Sequence, residues 1–236
     1  MIWYDGLTAE VWELVNRISW DGVIHSVPDI VPRTKTHDTL REKLQRMSTT
    51  GLHRIVDISG VRIDAEMTLS QQDSVAAAVV SVFGNDNCTV KDLRDGAHSG
   101  YRGVHVHVKV RRALAEVQIR TSAQSMWANA YERLADIVGR DIRYDQDPPE
   151  DHPAAAIVQQ LQNLSTEVIA DIEEKEQWLA SQPEIHGLSW ATNIDLLPED
   201  LVPAADSLLA LKASILTALV DIEGDLHSLK RGMVAE

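Results

Sequence analysis

One cysteine, Cys88, stands in 236 residues, which excludes a disulfide framework and suits a reducing cytosol. No stretch approaches the roughly 20 consecutive apolar residues that a membrane-crossing helix needs. The opening MIWYDGLTAEVWELV carries acids and no cationic region, so it does not read as a signal peptide. A soluble, cytoplasmic chain with no membrane partner is expected. The sequence has no Walker A loop and no GxGxxG, which argues against a P-loop or Rossmann nucleotide site. Internal repeats and low-complexity tracts are absent too. Basic residues are scarce at one end only: residues 1–145 hold 18 Lys+Arg against 19 Asp+Glu, and residues 146–236 hold 4 against 17. The first part can present a local basic site, while the acidic remainder repels nucleic acid and anionic membranes.

What is present reads as an α+β core with a helical extension. LTAEVWELVNRISW (7–20) spaces Val11, Leu14, Val15 and Ile18 as one face of a helix. THDTLREKLQRM (36–47) is a short helix, LHRIVDISGVRI (52–63) a strand, and SQQDSVAAAVVSVFG (70–84) a helix. TVKDL, GYRGVHVHVKV and LAEVQIRT are further strands, the last two joined by a short turn at Arg111 and Arg112. A helix begins near Thr121, with Gln124 completing a capping box and Trp127, Ala128, Tyr131 and Leu134 at helical spacing. DQDPPEDHP, acidic and with three prolines, marks a boundary between residues 1–145 and residues 146–236. Two long helical stretches follow it, 154–180 and 201–230.

Three groupings suggest chemistry. In HSGYRGVHVHVKV the valines 104, 106, 108 and 110 share one parity, and Tyr101, His105, His107 and Lys109 share the other. In EVQIRT, Glu116, Gln118 and Arg120 share a parity. Paired as a hairpin, the two strands join Tyr101, His105, Glu116, Gln118 and Arg120 into one polar patch. The plain account of such a patch is the wet outer face that antiparallel sheets commonly have. In the second grouping, Asp57 interrupts the apolar run RIVDISGVRI, and a buried carboxylate needs a partner. That partner is either Arg62, through a bulge at Ser59 and Gly60, or a Mg²⁺ shared with Glu116 on nucleotide phosphates. In the third, PRTKTHDTLREK places Arg33 and Lys35 just before a helix capped by Thr36, with Lys43 two turns on, an arrangement that suits polyphosphate. The His37–Asp38 dipeptide of metal phosphohydrolases lacks its other ligands and is read as chance.

PRTKTHDTLREK, RIVDISGVRI, GYRGVH and EVQIRTSAQSMWANAYERLAD, in this order, resemble the synthetase domain of RelA/SpoT-like enzymes over roughly residues 25–145. The chain's length makes it similar to the small alarmone synthetases. The resemblance implies a nucleotidyltransferase-like mixed sheet flanked by helices. It also implies transfer of the β,γ-pyrophosphate of ATP to the ribose 3′-hydroxyl of GDP or GTP, releasing AMP. Under it Arg33, Lys35 and Lys43 hold the ATP phosphates, with Arg33 also covering adenine. Asp57 ligates Mg²⁺, and Glu116 completes the metal site or draws the proton from the attacking hydroxyl. Tyr101 stacks on the acceptor base, His105 contacts its phosphates, and Arg62, Gln118 and Arg120 support the site. Self-association as a dimer or tetramer through the C-terminal helices is a further expectation.

The loop DGAHSGY departs from the family's PKxNGY pattern and is one residue shorter. Ala97 or His98 stands near the lysine position and Ser99 at the asparagine. A neutral imidazole is a poorer phosphate anchor than an ammonium. Two alternatives therefore accompany the synthetase reading. One is a toxin-like relative that pyrophosphorylates the tRNA 3′ end or an adenine nucleotide. The other is a non-catalytic nucleotide-sensing or assembly subunit.

Overall fold

Valine and isoleucine at alternate positions build a five-stranded sheet, which a computed structural model describes for residues 2–35, 40, 41, 44, 55–111, 113–185 and 189–234. The strands are β1 (Asp29–Thr34), β2 (Ser59–Ala65), β3 (Cys88–Asp92), β4 (Val104–Val110) and β5 (Ala113–Thr121), in the order β1-β2-β5-β4-β3. Only β2 and β5 run parallel, and the other neighbours are antiparallel. Helices α1 (Ile2–Asn16) and α2 (Leu69–Phe83) belong to the same compact unit, formed by Met1–Leu93 and Gly103–Thr121.

One face of the sheet is apolar because strand periodicity puts every second residue there. Val61, Ile63, Val104, Val106, Val108, Val117 and Ile119 are all buried, and they form one core with Leu7, Val11 and Val15 of α1 and Val75, Ala76 and Val79 of α2. A capping box fixes the start of α2: the Thr68 hydroxyl accepts from the Gln71 amide, and the Gln71 side chain accepts from the Thr68 N–H. The opposite parity carries the polar residues. Cross-strand register sets Arg33, Gly60, Glu116 and His107 in one row and Arg62, Gln118 and His105 in the next.

The strand expected over 52–63 is corrected in part. It begins at Ser59, and residues 56–58 form a single 3-10 turn in which Asp57 adopts φ −94° and ψ 24°. The reason is electrostatic: the turn leaves the Asp57 side chain 25% exposed, whereas a strand covered on both faces would desolvate its charge. Residues 52–54 of that expected strand lie outside the described residues, as do Thr36, His37, Asp38, Lys43 and Arg112. Most of the helix expected at 36–47 lies outside them as well.

The second compact unit joins Arg94–Arg102 to Ser122–Glu236. Its helices are α3 (Ser122–Val138), α4 (Ala155–Asn163), α5 (Ala170–Ala180) and α6 (Val202–Val234), with a π-helical stretch at Leu164–Ile169 between α4 and α5. Trp127, Tyr131 and Leu134 of α3 share a core with Leu161, Ile172, Leu208, Ile215 and Leu219. Apolar residues of both long helical stretches, 154–180 and 201–230, are thus buried within this unit. Trp127 stacks on Tyr131 with centroids 4.8 Å apart, and its indole N–H donates to the Leu161 carbonyl at 2.5 Å. Among the described residues, no helix is long and apolar enough to cross a membrane.

Candidate active site

On the polar face of the sheet, Arg33, Lys35, Asp57, Gly60, Glu116 and Gln118 all line one cavity, together with Ser59 and Val61. Each reaches it by a traceable local cause. Arg33, the penultimate residue of β1, lies opposite Gly60. Lys35 continues the ladder by donating its backbone N–H to the Ile58 carbonyl at 2.9 Å. That bond brings the Lys35 ammonium to 3.2 Å from the Asp57 carboxylate. Gly60 packs so closely on β5 that an added Cβ would collide with the Glu116 carbonyl oxygen and lie 3.2 Å from its carbon.

Gln118 links the charged groups. Its carbonyl oxygen accepts from the Arg33 guanidinium at 2.9 Å and from Arg120 at 3.2 Å, and its amide donates to Glu116 Oε2 at 2.7 Å. The other oxygen, Glu116 Oε1, lies 3.2 Å from His105 Nδ1 and 3.4 Å from His107 Nε2. Burial pushes the Glu116 carboxyl up, but the hydrogen bonds with His105 and His107, the His105 charge and the Gln118 amide outweigh it. The group is held well below the usual carboxylate range. Arg120 is 2% exposed, and Glu116 and His105 are 9% exposed. This patch is therefore covered, and the plain wet outer face is not what β4 and β5 present.

The expected residues divide as follows. The structure brings together Arg33, Lys35, Asp57, Glu116 and Gln118 around the cavity, with His105 and Arg120 bonded into the same network. Arg62 has Asp64 as an ion-pair partner: its Nε lies 3.0 Å from Asp64 Oδ2, two residues along the same face of β2. No bulge is needed, because Asp57 has Lys35 as a partner. Lys43 is outside the described residues. Tyr101 is not in the outward row of β4, which starts at Val104; it belongs to the second unit.

There the motif loop is held by residues to which the sequence alone assigns no role. Ser99 takes a left-handed φ of 51°, and its amide and hydroxyl both donate to Asp145 Oδ1, at 2.7 and 2.9 Å. His98 Nδ1 lies 3.4 Å from the other Asp145 oxygen. Gly100, at φ 80°, has Gln162 Cα and the Trp127 ring 3.2 Å from where a Cβ would sit, so only glycine fits. The π-helical stretch contributes Ser165, whose hydroxyl donates to the Gly100 carbonyl at 2.6 Å. Arg102 is bound to buried Glu173 at 2.7 Å. No local pattern marks Asp145, 46 residues from Ser99; a contact of that separation is visible only in the fold.

The donors at the cavity suit Mg²⁺. Two carboxylates face a space of about 30 Å³, room for an ion or a water or two, and hard oxygen ligands are what Mg²⁺ takes from protein. Arg33 and Lys35 beside them can neutralise the phosphates such an ion accompanies.

Residues 32–148 match the family model for the region found in RelA / SpoT proteins. That match spans just under half of the chain. Uncharacterized proteins of Mycobacterium tuberculosis and Mycobacterium bovis are 44% identical over 164 residues, 70% of this chain. The chain spans 59% of the length of these relatives. Among solved structures, small alarmone synthetase 2 from Bacillus subtilis aligns with a TM-score of 0.59 at 22% identity, covering 75% of this chain and 94% of that one. Small alarmone synthetase 1 from the same organism gives 0.53 at 25% identity, covering 75% and 91%. Its complex with its product pppGpp gives 0.56 at 21%, covering 77% and 94%. These likenesses establish the fold class expected from the sequence: an α+β mixed sheet with flanking helices and a helical C-terminal region.

Proposed function

We propose that this chain is an alarmone synthetase, a pyrophosphotransferase that moves the β,γ-pyrophosphate of ATP onto the 3′-hydroxyl of GDP or GTP and releases AMP. The observation that carries the reading is the pair of carboxylates, Asp57 and Glu116, on one cavity with Arg33 and Lys35 inside a RelA/SpoT region. Transfer of a phosphoryl group asks the protein mainly for alignment and for positive charge at the moving oxygens. Arg33 and Lys35 supply charge to the ATP phosphates, with Lys43 the third expected cation. Asp57 and Glu116 hold Mg²⁺, which when bound screens the phosphate charge. Glu116 is a stronger candidate for ligating and orienting than for removing the hydroxyl proton, because a carboxyl held so far below its usual range is a weak base. Gln118 keeps the carboxylate and Arg33 in fixed relation, and Arg120 steadies Gln118. Tyr101 stacks on the acceptor base, and His105 serves the acceptor phosphates. A cytoplasmic setting, where these nucleotides are found, fits the reading.

One observation favours a second acceptor. Where the family pattern has lysine and asparagine, His98 and Ser99 both engage the Asp145 carboxylate, a negative neighbour where a phosphate would want a cation. An adenine nucleotide or the tRNA 3′ end is the alternative acceptor, although the acidic C-terminal part disfavours RNA. The test is incubation with Mg²⁺ and γ-labelled ATP, offering GDP, GTP, AMP, ADP and tRNA separately. Label on GDP or GTP supports the proposal. Label on another acceptor alone overturns the guanine assignment, and no transfer to any acceptor returns the chain to a nucleotide sensor or assembly subunit.

A further inference from the structure

The outward face of β4 carries a second imidazole, His107, that the transfer reading does not use. Strand periodicity puts His105 and His107 on one face, and the antiparallel register sets Glu116 directly opposite His107 and diagonal to His105. One ligand atom from each of the three lies within 4.8 Å of the others. Glu116 Oε1 stands 3.2 Å from His105 Nδ1 and 3.4 Å from His107 Nε2. In a tetrahedral site with metal–ligand bonds of about 2.0–2.1 Å, neighbouring ligand atoms are about 3.3 Å apart. Two of the three separations already have that edge length, and the two imidazole nitrogens, within 4.8 Å of each other, close on the ion by side-chain rotation.

We propose that His105, His107 and Glu116 form a site for a divalent transition metal of the zinc class, which shares Glu116 with the Mg²⁺ pair and adds two imidazole nitrogens. Two imidazole nitrogens and one carboxylate oxygen make a borderline-soft set that suits Zn²⁺ or Co²⁺, whereas Mg²⁺ prefers oxygen throughout. Three protein ligands leave a fourth position for water. The His107 side chain, 24% exposed against 11% for His105 and Glu116, is the approach side. The site shares Glu116 with the transfer chemistry, so its occupancy takes that carboxylate away from Mg²⁺ and stops transfer. This inhibitory consequence rests on the function proposed above; the metal site itself does not.

The experiment titrates the metal-stripped 236-residue protein with Co²⁺, without nucleotide, following the visible absorption of four-coordinate cobalt, and with Zn²⁺ by calorimetry. One tight equivalent is expected, with a tetrahedral cobalt spectrum that Zn²⁺ bleaches and excess Mg²⁺ does not. His107→Gln should weaken it by about a hundredfold, at the upper end of what loss of even an outer-shell partner does. The same variant should keep transfer with Mg²⁺ and lose sensitivity to equimolar Zn²⁺. Absence of the cobalt spectrum in the wild type, or undiminished binding in a folded His107→Gln, overturns the proposal. An intact cobalt spectrum in a protein that transfers pyrophosphate to no acceptor would defeat the functional reading and leave the metal site standing.

Discussion

Asp57 and Glu116 reach the same cavity from different backbones, a turn and a strand, so each can be removed alone. Asp57→Asn and Glu116→Gln keep volume and delete charge. Each should lower transfer by on the order of 10²-fold or more, as for other groups that stabilise transition-state charge, with an unchanged circular dichroism spectrum. Turnover near wild type in either variant would remove that residue from the metal site. Tyr101→Ala should weaken acceptor use by roughly 1–3 kcal/mol, the worth of base stacking, and leave ATP binding intact; Tyr101→Phe should be mild. Equal loss on the ATP side would move the ring to the donor. Asp145 offers a pH test within the second unit. Its carboxyl is held below the ordinary value first by the Ser99 hydroxyl, against the opposing effect of burial, with His98 adding to the lowering. A folded value below the unfolded one means that the bond helps folding above the unfolded value and is lost as pH falls through the folded one. The Ser99 amide resonance should therefore titrate with a midpoint below about 3.9, the free aspartate value. A midpoint at or above that would show that Asp145 does not hold the loop in solution.

At the scale of elements, β2 and β5 are held together by the absence of a side chain. The clash waiting at Gly60 is with backbone, the Glu116 carbonyl, which no rotamer change relieves. Gly60→Ala should lower stability by about 1–3 kcal/mol or more, seen as a drop in Tm, and reduce transfer by displacing the Glu116 peptide. Wild-type Tm and activity in this variant would show that the strands can part there without consequence. The β4–β5 hairpin is legible from the amino acids alone. Alternating valines give the buried face, and the pairing of Val110 with Ala113 carries the register that sets His107 opposite Glu116. Arg111, just past β4, takes a left-handed φ of 48° where the chain reverses. Asp57 is harder to place. Apolar neighbours on both sides look like a strand, and nothing in them shows the Lys35 partner, 22 positions away in sequence, or the exposure that the turn gives the carboxylate. The Ser99–Asp145 pair is illegible for the same reason. Partners chosen by tertiary approach leave no periodic trace.

For the whole molecule, the acidic sequence boundary near 145 and the division by packing are different properties. The charge balance changes after DQDPPEDHP, but α3, before it, already packs with α4, α5 and α6, and so does the loop 94–102. A chain ending near Asp147 would strip Trp127, Tyr131 and Leu134 of their partners and should be insoluble. Self-association, expected from the long helices, must then use what the unit's own core leaves over. The stripes of Leu161 and Ile172, and of Leu208, Ile215 and Leu219, are buried internally. Among the described residues, the large apolar side chains exposed on α6 are Leu216 and Val220, 51% and 59% exposed and four residues apart, which places them on one helix face. Two copies meeting on that face would form an isologous, closed contact, the default for a homo-oligomer, and the net charge of −14 would limit further growth. The 236-residue protein should therefore elute above its 26.2 kDa mass in size exclusion with light scattering. Leu216→Glu with Val220→Glu should return it to a monomer while the circular dichroism spectrum is kept, because neither side chain belongs to the buried core. A monomer at tens of micromolar wild-type protein would refute self-association, and an oligomer untouched by the double change would place the contact elsewhere.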